Sequence, residues 1–420
     1  MLIQFRFQNF KSFIDETILD LSASKITEHS NHIVDTCGEK LLPIAAIYGA
    51  NASGKSNVIE AFRFMSTYVI NSFTYGDKTA DKQYVQMAIP FLFDNNSKNE
   101  PSLFEIFFTI PGDNREKTYN YGFTIKGTTI VEEWFNTKAK TSSNYKRVYY
   151  RNSSEGKLDL SGISKAGAVN IKVSLSSETL IASLGNKLKI KEVSCIRQWF
   201  LNTSCTNFGD PKENYFISSQ LPNHFDDDPQ VRKQVIKFFS TFDSSIIDLQ
   251  IKAFPSDKNK FAVWAIHKTK DGNKASIPLE RESSGTLKMF SLFPHLLDTL
   301  TNGGVLFVDE LNGRLHPLLV RSVLISFLNM DTNPKHAQII FTAHDVWQLE
   351  NDSFRRDEIW FTEKNKDGES SLYSLADIEN ENGVKIRKDE NFAKNYLVGK
   401  YGAVPTLNII DFSEDSFNAE

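Results

Sequence analysis

The first dozen residues alternate apolar and polar positions and are rich in phenylalanine (LIQFRFQNFKSF, residues 2–13). That is the period-two pattern of a strand with one buried face. A second alternating stretch follows around residues 17–21. Residues 42–48 (LPIAAIY) form a continuous apolar run, as expected of a parallel strand buried on both faces. The run feeds into GANASGKS and then into NVIEAFRFMSTYVINSF, whose spacing predicts a helix. Between residues 103 and 150, the runs LFEIFFTI, YNYGFTI, VEEWF and RVYY are separated by turn residues and predict an antiparallel meander.

From 151 to 245 the chain is rich in Ser, Asn and Lys, with helical pieces. The clearest piece starts at Asp228 and Pro229, an N-cap followed by proline at the first helical position. Asp226, Asp227 and Asp228 read as capping acids rather than a metal cluster. Strand-like alternation returns over 246–266. A helix (SGTLKMFSLFPHLLDTL) then leads into the apolar strand GGVLFVDE, followed by a helix near 317–329 and the strands AQIIFTAH and EIWFTEK. Gly, Pro and Asn interrupt every heptad run, which excludes a long coiled coil. The expected layout is an α/β chain in four parts. These are an N-terminal lobe with a β meander (1–150), an inserted, mostly helical subdomain (151–245), a C-terminal lobe (246–405) and an acidic tail (406–420).

Composition narrows the class. A chain of 420 residues with 40% hydrophobic and 24% charged residues is globular, long enough for two or three domains. Its 48 basic and 52 acidic side chains give no general basic coat for nucleic acid. Asp411, Glu414, Asp415 and Glu420 fall in the tail, which has no Lys or Arg, so residues 1–405 are formally neutral. Three cysteines, Cys37, Cys195 and Cys205, are too few for a disulfide framework or a four-Cys zinc site. The start lacks signal-peptide features, and no run approaches the ~20 apolar residues of a spanning helix. The expectation is a cytoplasmic protein with no membrane segment.

Residues 49–56 (GANASGKS) fit G-x-x-x-x-G-K-[ST], with an apolar strand before and a helix after. Such a loop aims backbone N–H groups at phosphates from a helix N-terminus. In it Lys55 neutralises the β- and γ-phosphates and Ser56 ligates Mg²⁺. The strand VLFVDE brings Asp309 to the magnesium shell and Glu310 to the attacking water. ESSGT (282–286) opens the helix that leads into that strand. A Ser-x-Gly at a helix N-terminus is a second phosphate-facing dipole, and its natural partner is nucleotide held on another subunit. Read alone, it is also an ordinary N-cap. His344 ends the next strand (FTAHD), where ligands of such sheets sit.

Taken in order, these features resemble the ATP-binding-cassette class of P-loop ATPases, in its RecF/SMC-like branch. There they are Walker A, signature, Walker B and switch histidine. NFKSF (9–13) is similar to that branch's N-F-[KR]-S strand, whose basic residue, here Lys11, lies near the nucleotide. Asn51 matches the Asn of G-x-N-x-x-G-K-S. The stretches PF (90–91), 104–121, RRDEIWF (355–361) and YLVGKYGAVP (396–405) resemble abortive-infection ATPases of the AbiL/RloA type. The resemblance implies a Mg²⁺-dependent ATP hydrolase in bacterial anti-phage defence. It also implies a homodimer, or a higher even oligomer, closed head to tail around ATP.

The expected nucleotide-contacting set is Lys11, Gly49, Asn51, Ala52, Ser53, Gly54, Lys55, Ser56 and Asn57, with Ser283, Ser284 and Gly285 from the signature. Catalysis is expected from Glu310, His344 and Lys55, and metal binding from Ser56 and Asp309. Two departures from the family pattern stand out. The D-loop carries Arg314 where a small hydroxyl residue is common, although Asn312 is retained for bonding across a dimer. The Q-loop has only Gln83 and Gln86 as candidates. Overcoming-lysogenization-defect nucleases carry a TOPRIM domain after the cassette. The residues after His344 are too few for one, so destructive activity is expected from a separate protein encoded by a neighbouring gene.

Lys138, Lys140, Lys146, Arg147 and Arg151 interleave with Tyr145, Tyr149 and Tyr150, and Lys187, Lys189 and Lys191 alternate. These are candidates for DNA or RNA contact, although such alternation is also that of a solvated strand face. Two other classes are a RecF-like DNA-repair ATPase and a P-loop phosphotransferase, the latter disfavoured by the signature.

Overall fold

In the computed structural model, residues 1–75, 85–110, 112, 116–210, 212, 225, 227–254, 257–313, 315–350, 353–380 and 382–405 are described. The alternating N-terminus forms β1 (Leu2–Gln8), which buries Leu2, Phe5 and Phe7 completely. It pairs antiparallel with β2 (Thr17–Asp20); β3 (Val34–Thr36) and β4 (Glu39–Leu41) make a small hairpin beside them. The apolar run becomes β5 (Ile44–Gly49), buried at every position. The meander is β6 (Ser102–Thr109), β7 (Lys117–Lys126), β8 (Thr129–Ala139), β9 (Lys146–Asn152) and β10 (Lys157–Asp159). With β1 and β2 it makes a seven-stranded antiparallel sheet ordered β10-β9-β8-β7-β6-β1-β2.

The second sheet contains β11 (Thr203–Asn207), β15 (Val305–Asp309), β16 (Gln338–Thr342), β5, β17 (Ile359–Lys364) and β18 (Ser370–Ser374), in that order. All are parallel except β18, so the carboxyl tips of β5, β15, β16 and β17 point the same way. A third sheet joins β12 (Ile246–Phe254), β13 (Asp257–Lys268) and β14 (Lys274–Pro278).

Helix α1 (Lys55–Asn71) is clamped between the two large sheets. Phe62 stacks on Phe307 of β15 at 3.9 Å and meets Phe5 of β1 edge-on at 5.2 Å. Helices α2 (Lys165–Ser174), α3 (Ile181–Lys187) and α4 (Ser194–Leu201) share this core through Ile171, Ile181, Ile196 and Phe200. Helix α5 (Pro229–Phe242) packs instead on β12 and β13, with its start capped by Asp228 accepting from the Gln230 N–H. Helices α6 (Ser284–Asn302), α7 (Pro317–Leu328) and α8 (Phe392–Leu397) cover the far face of the parallel sheet, and α6 reaches the α5 core as well.

Packing therefore does not follow the boundaries expected at 150 and 245. Strands β9 and β10 belong to the N-terminal sheet, helices α2–α4 to its core, and β11 lies in the parallel sheet beside β15. No long coiled coil occurs among the described residues; the longest helix, α6, has 19 residues. None of their helices is long and apolar enough to cross a membrane. The acidic tail, Asp226 and Arg314 lie outside the described residues.

The entry to β17 is fixed by a buried charge network. Arg355, fully buried, makes a bidentate pair with Asp357 (2.9 and 2.8 Å) and donates to the Glu28 carbonyl. Asp357 also accepts from the N–H and hydroxyl of Ser24, and His32 contacts Glu358 at 3.0 Å. Removing one member leaves a buried charge unpaired. Arg355→Ala should cost about 3–5 kcal/mol of stability, read as a lower urea midpoint; an unchanged midpoint would contradict this role.

Candidate nucleotide site at the strand tips

Strand β5 ends at Gly49, and the chain turns through Ala52 (φ 62°) and Gly54 (φ 113°) into α1. Gly54 is needed twice over: its φ lies where side chains are strained, and a Cβ would stand 2.6 Å from Ser370 Oγ. No side chain caps α1, so its first N–H groups open towards the loop. Ser53 and Thr362 share a hydroxyl bond of 2.6 Å that sews the loop to β17.

Lys55 folds back, donating to the carbonyls of Gly49 and Ala50, both at 2.8 Å. It is 5% exposed, and burial pushes its pKa down to about 8 against the opposing pull of Asp309 and Glu310. The amine is thus pre-placed in the loop, partly desolvated, and held by weak neutral acceptors.

Opposite stands the tip of β15. Asp309, almost fully buried, accepts a 2.6 Å bond from the Thr342 hydroxyl, and that hydroxyl accepts the Glu310 N–H at 2.8 Å. Glu310 adopts the left-handed conformation (φ 56°), which is uncommon for a non-glycine residue and aims its carboxylate off the strand. His344 Nε2 lies 3.6 Å from Glu310 Oε1. Asn312 donates to Asp345 at 2.6 Å, so within this chain its amide is already engaged.

A cleft of about 680 Å³ opens here. One wall is Asn51, Ala52, Gly54, Lys55, Ser56 and Asn57; the other has Glu310 and His344, with Lys364 from the tip of β17. Of the remaining expected residues, Gly49, Ser53 and Asp309 lie outside its lining. Lys11 does not line it either: its ammonium is ion-paired with Glu60 on α1. The turn around Lys11 is nonetheless tied to the loop, since Asn57 donates to Ser12 Oγ and Ser370 Oγ donates to the same atom. Ser283, Ser284 and Gly285 are also absent from the cleft; Ser283 Oγ caps α6 by accepting the Thr286 N–H at 3.1 Å. Gln86 does not line the cleft, and Gln83 lies outside the described residues.

Thr342 and Lys364 escaped the sequence reading. The only signal for Thr342 is a hydroxyl residue closing an apolar strand two positions before His344.

Three cations of the basic clusters are engaged within the chain. Lys138 pairs with Glu39 and Lys140 with Glu116, while Arg151 is buried and donates to the carbonyls of Thr179 and Ser176. Tyr149 is wholly inside, bonded to Glu133. Of these five cations Lys140, Lys146 and Arg147 are exposed, as are Lys187, Lys189 and Lys191 around buried Ile190.

Thr342→Val keeps the shape and removes the hydroxyl, leaving Asp309 and the Glu310 N–H short of a partner. A stability loss of about 1–3 kcal/mol is expected, with Thr342→Ser close to the parent; equal unfolding midpoints for Val and the parent would contradict the assignment.

A family model described as "AAA domain, putative AbiEii toxin, Type IV TA system" matches residues 44–346, well over half of the chain. No curated protein matches the sequence. Among solved structures, one similar chain is an Smc head bound to the C-winged helix domain of ScpA (14% identity, 92% of this chain and 99% of that one, TM-score 0.40). Another is an Smc head domain with an extended coiled coil bound to the C-terminal domain of ScpA, derived from Pyrococcus furiosus (13% identity, 89% and 96%, TM-score 0.40). Likeness of this degree says nothing about the activity or partners of this chain.

Proposed function

The chain belongs to the family described as "AAA domain, putative AbiEii toxin, Type IV TA system", and on that premise we propose that it is an ATP hydrolase acting as a nucleotide-gated switch. The observation that carries this reading is the convergence of Lys55, Glu310 and His344, from segments distant in sequence, on one cleft at the tips of a parallel sheet. The residues present suit a triphosphate and Mg²⁺: uncapped α1 amides, a retracted lysine, and the Ser56 hydroxyl and Glu310 carboxylate lining one cleft. Mg²⁺ bound with ATP supplies charge neutralisation at the β- and γ-phosphates.

In this reading Asn51, Ala52, Gly54 and Asn57 shape the phosphate cradle, and Lys55 leaves the Gly49 and Ala50 carbonyls for phosphate oxygens. Ser56 and Asp309 would hold the metal, with Asp309 oriented by Thr342. Glu310 accepts the proton of the water that attacks the γ-phosphorus, and His344 orients that carboxylate and steadies the departing charge. Positioning provides most of the acceleration, since phosphoryl transfer needs little covalent help.

Ser283, Ser284 and Gly285 lie away from their own chain's cleft, which supports their facing nucleotide on a second copy. The protein then works as a head-to-tail dimer or a higher even oligomer. Residues 1–150 and 246–405 supply the two halves of each site. The wider role follows as a proposal: anti-phage defence, with ATP state controlling a separate effector, such as a nuclease, from a neighbouring gene. The alternative is a RecF-like DNA-repair ATPase, for which exposed Lys146, Arg147, Lys187, Lys189 and Lys191 are the remaining candidate contacts, Lys138 and Lys140 being paired and Arg151 buried.

Lys55→Ala should weaken ATP binding at least about 100-fold, the loss of a charged partner to phosphate. Glu310→Gln should bind ATP normally, lose hydrolysis and accumulate as an ATP-bound pair in light scattering. Retained hydrolysis in either variant would refute the mechanism.

The depressed pKa of Lys55 gives a second check. Below about pH 8 the free amine is already charged; above it the amine is mostly neutral, and bound phosphate must draw a proton onto it. Calorimetry in buffers of different ionisation heat should show proton uptake on ATP binding rising towards about one as pH goes from 6.5 to about 9. Uptake independent of pH would contradict the assignment.

A further inference from the structure

Lys288 is a buried lysine that the chemistry above leaves unused. It lies one turn into α6, the helix that Ser283 caps, and is 5% exposed. Its ammonium donates to the carbonyl oxygens of Glu310 (3.1 Å) and Gly313 (2.5 Å) and stands 4.8 Å from the centre of the Phe208 ring. A buried ammonium is costly unless its donors are met. Here they are met by the main chain of one tight turn, which the Gly313 N–H closes on the Glu310 carbonyl at 3.0 Å. That turn begins with Glu310 in its left-handed conformation and carries Asn312, bonded to Asp345 beside His344. In front of α6, Glu282 is held by His267 at 2.7 Å, and His267 contacts Ser245 at 2.8 Å. The helix is therefore gripped at its start by β13 and, one turn later, itself grips the Glu310 turn.

We propose that Lys288 is a positioning residue that ties the 283–285 turn to Glu310 of the same chain, so that nucleotide held on a second copy sets the placement of this copy's Glu310. The inference rests on reading residues 283–285 as facing nucleotide in trans. A regular helix moves as a unit over one turn, so a shift at its capped start is passed through two charge-assisted bonds to the backbone of the catalytic carboxylate. The two sites of a pair are thereby coupled, each firing fastest when its own copy's 283–285 turn is engaged by nucleotide on the other copy. An ammonium serves here because three donors on a flexible stem can reach two carbonyls of one turn.

Three variants test this. Lys288→Met keeps the aliphatic stem and removes the donors. Gly313→Ala keeps the lysine but introduces a Cβ 2.8 Å from its ammonium. The third variant combines them. Each single variant should bind ATP with parent affinity and unchanged KM while kcat falls about 10–100-fold, the scale of an ångström-sized misplacement. The combined variant should fall no further than the worse single one. In nucleotide-free protein, hydrogen exchange at the Leu311 and Gly313 amides should speed up in Lys288→Met. A parent-like kcat in a folded variant, additive losses in the combined variant, or unaltered exchange would each overturn the proposal. If Lys288→Met fails to fold, Gly313→Ala still decides it through the KM-against-kcat split. A parent protein that binds no ATP would instead refute the ATPase reading, and the exchange measurement would still judge the tie.

Discussion

Phe62 lies face to face with Phe307 and edge-on to Phe5, so α1 touches the parallel sheet on one side and the antiparallel sheet on the other. Val58, Ile59, Phe64, Met65 and Tyr68 extend the contact along the helix. Each such side chain contributes roughly 1.5–3 kcal/mol on burial, and together they leave the helix one depth and one rotation. Since β5 delivers the chain into α1 at the sheet's carboxyl edge, the amides at the helix start are fixed there, beside the tips of β15, β16 and β17. The cleft at the strand tips is a consequence of packing this helix between two sheets.

Around that fixed point the polar groups are arranged so that little must move. Thr342 holds Asp309 and the Glu310 N–H together with a single hydroxyl, and the unusual backbone of Glu310 is sustained by that bond and by Lys288 from behind. Strain of order 1–3 kcal/mol persists only where neighbours over-determine it, and here they do from two sides. Lys55 is in the opposite condition. It is buried with neutral acceptors and a lowered pKa, a state that an anionic ligand relieves. One wall of the cleft is rigid, and the other is poised to recruit charge.

The architecture was legible wherever apolar pattern and turn chemistry agreed, as for β1, β5, α1, the β6–β9 meander, α6, β15 and β16. It was not legible in β11, whose TSCTN carries almost no apolar signal and owes its strand to pairing with β15. Helices α2–α4 looked like an insertion because their polar faces dominate the composition. Their few apolar residues nonetheless complete the α1 core. At the site, the loop residues 51–57, Glu310 and His344 follow from motif spacing. Lys11 shows the limit of that logic, because its carboxylate partner Glu60 sits on a different element. The same limit applies to Lys138 and Lys140, whose partners Glu39, in β4, and Glu116, just before β7, come from elsewhere in the chain. Lys288 and Thr342 act on backbone and neighbouring side chains, which no one-dimensional pattern encodes.

The central claim is that a working site takes its Lys55 loop from one copy and residues 283–285 from another. Complementation between two inactive variants tests this most directly. Lys55→Ala and Gly285→Glu should each be inactive alone, the second still binding ATP. When the two are mixed, one site of each hybrid pair regains an intact loop and an intact signature turn, so hydrolysis should rise above that of either variant alone, while staying below the parent because the copy that holds the ATP carries the altered turn. No recovery on mixing two folded variants, or full activity of Gly285→Glu by itself, would contradict a site shared between copies.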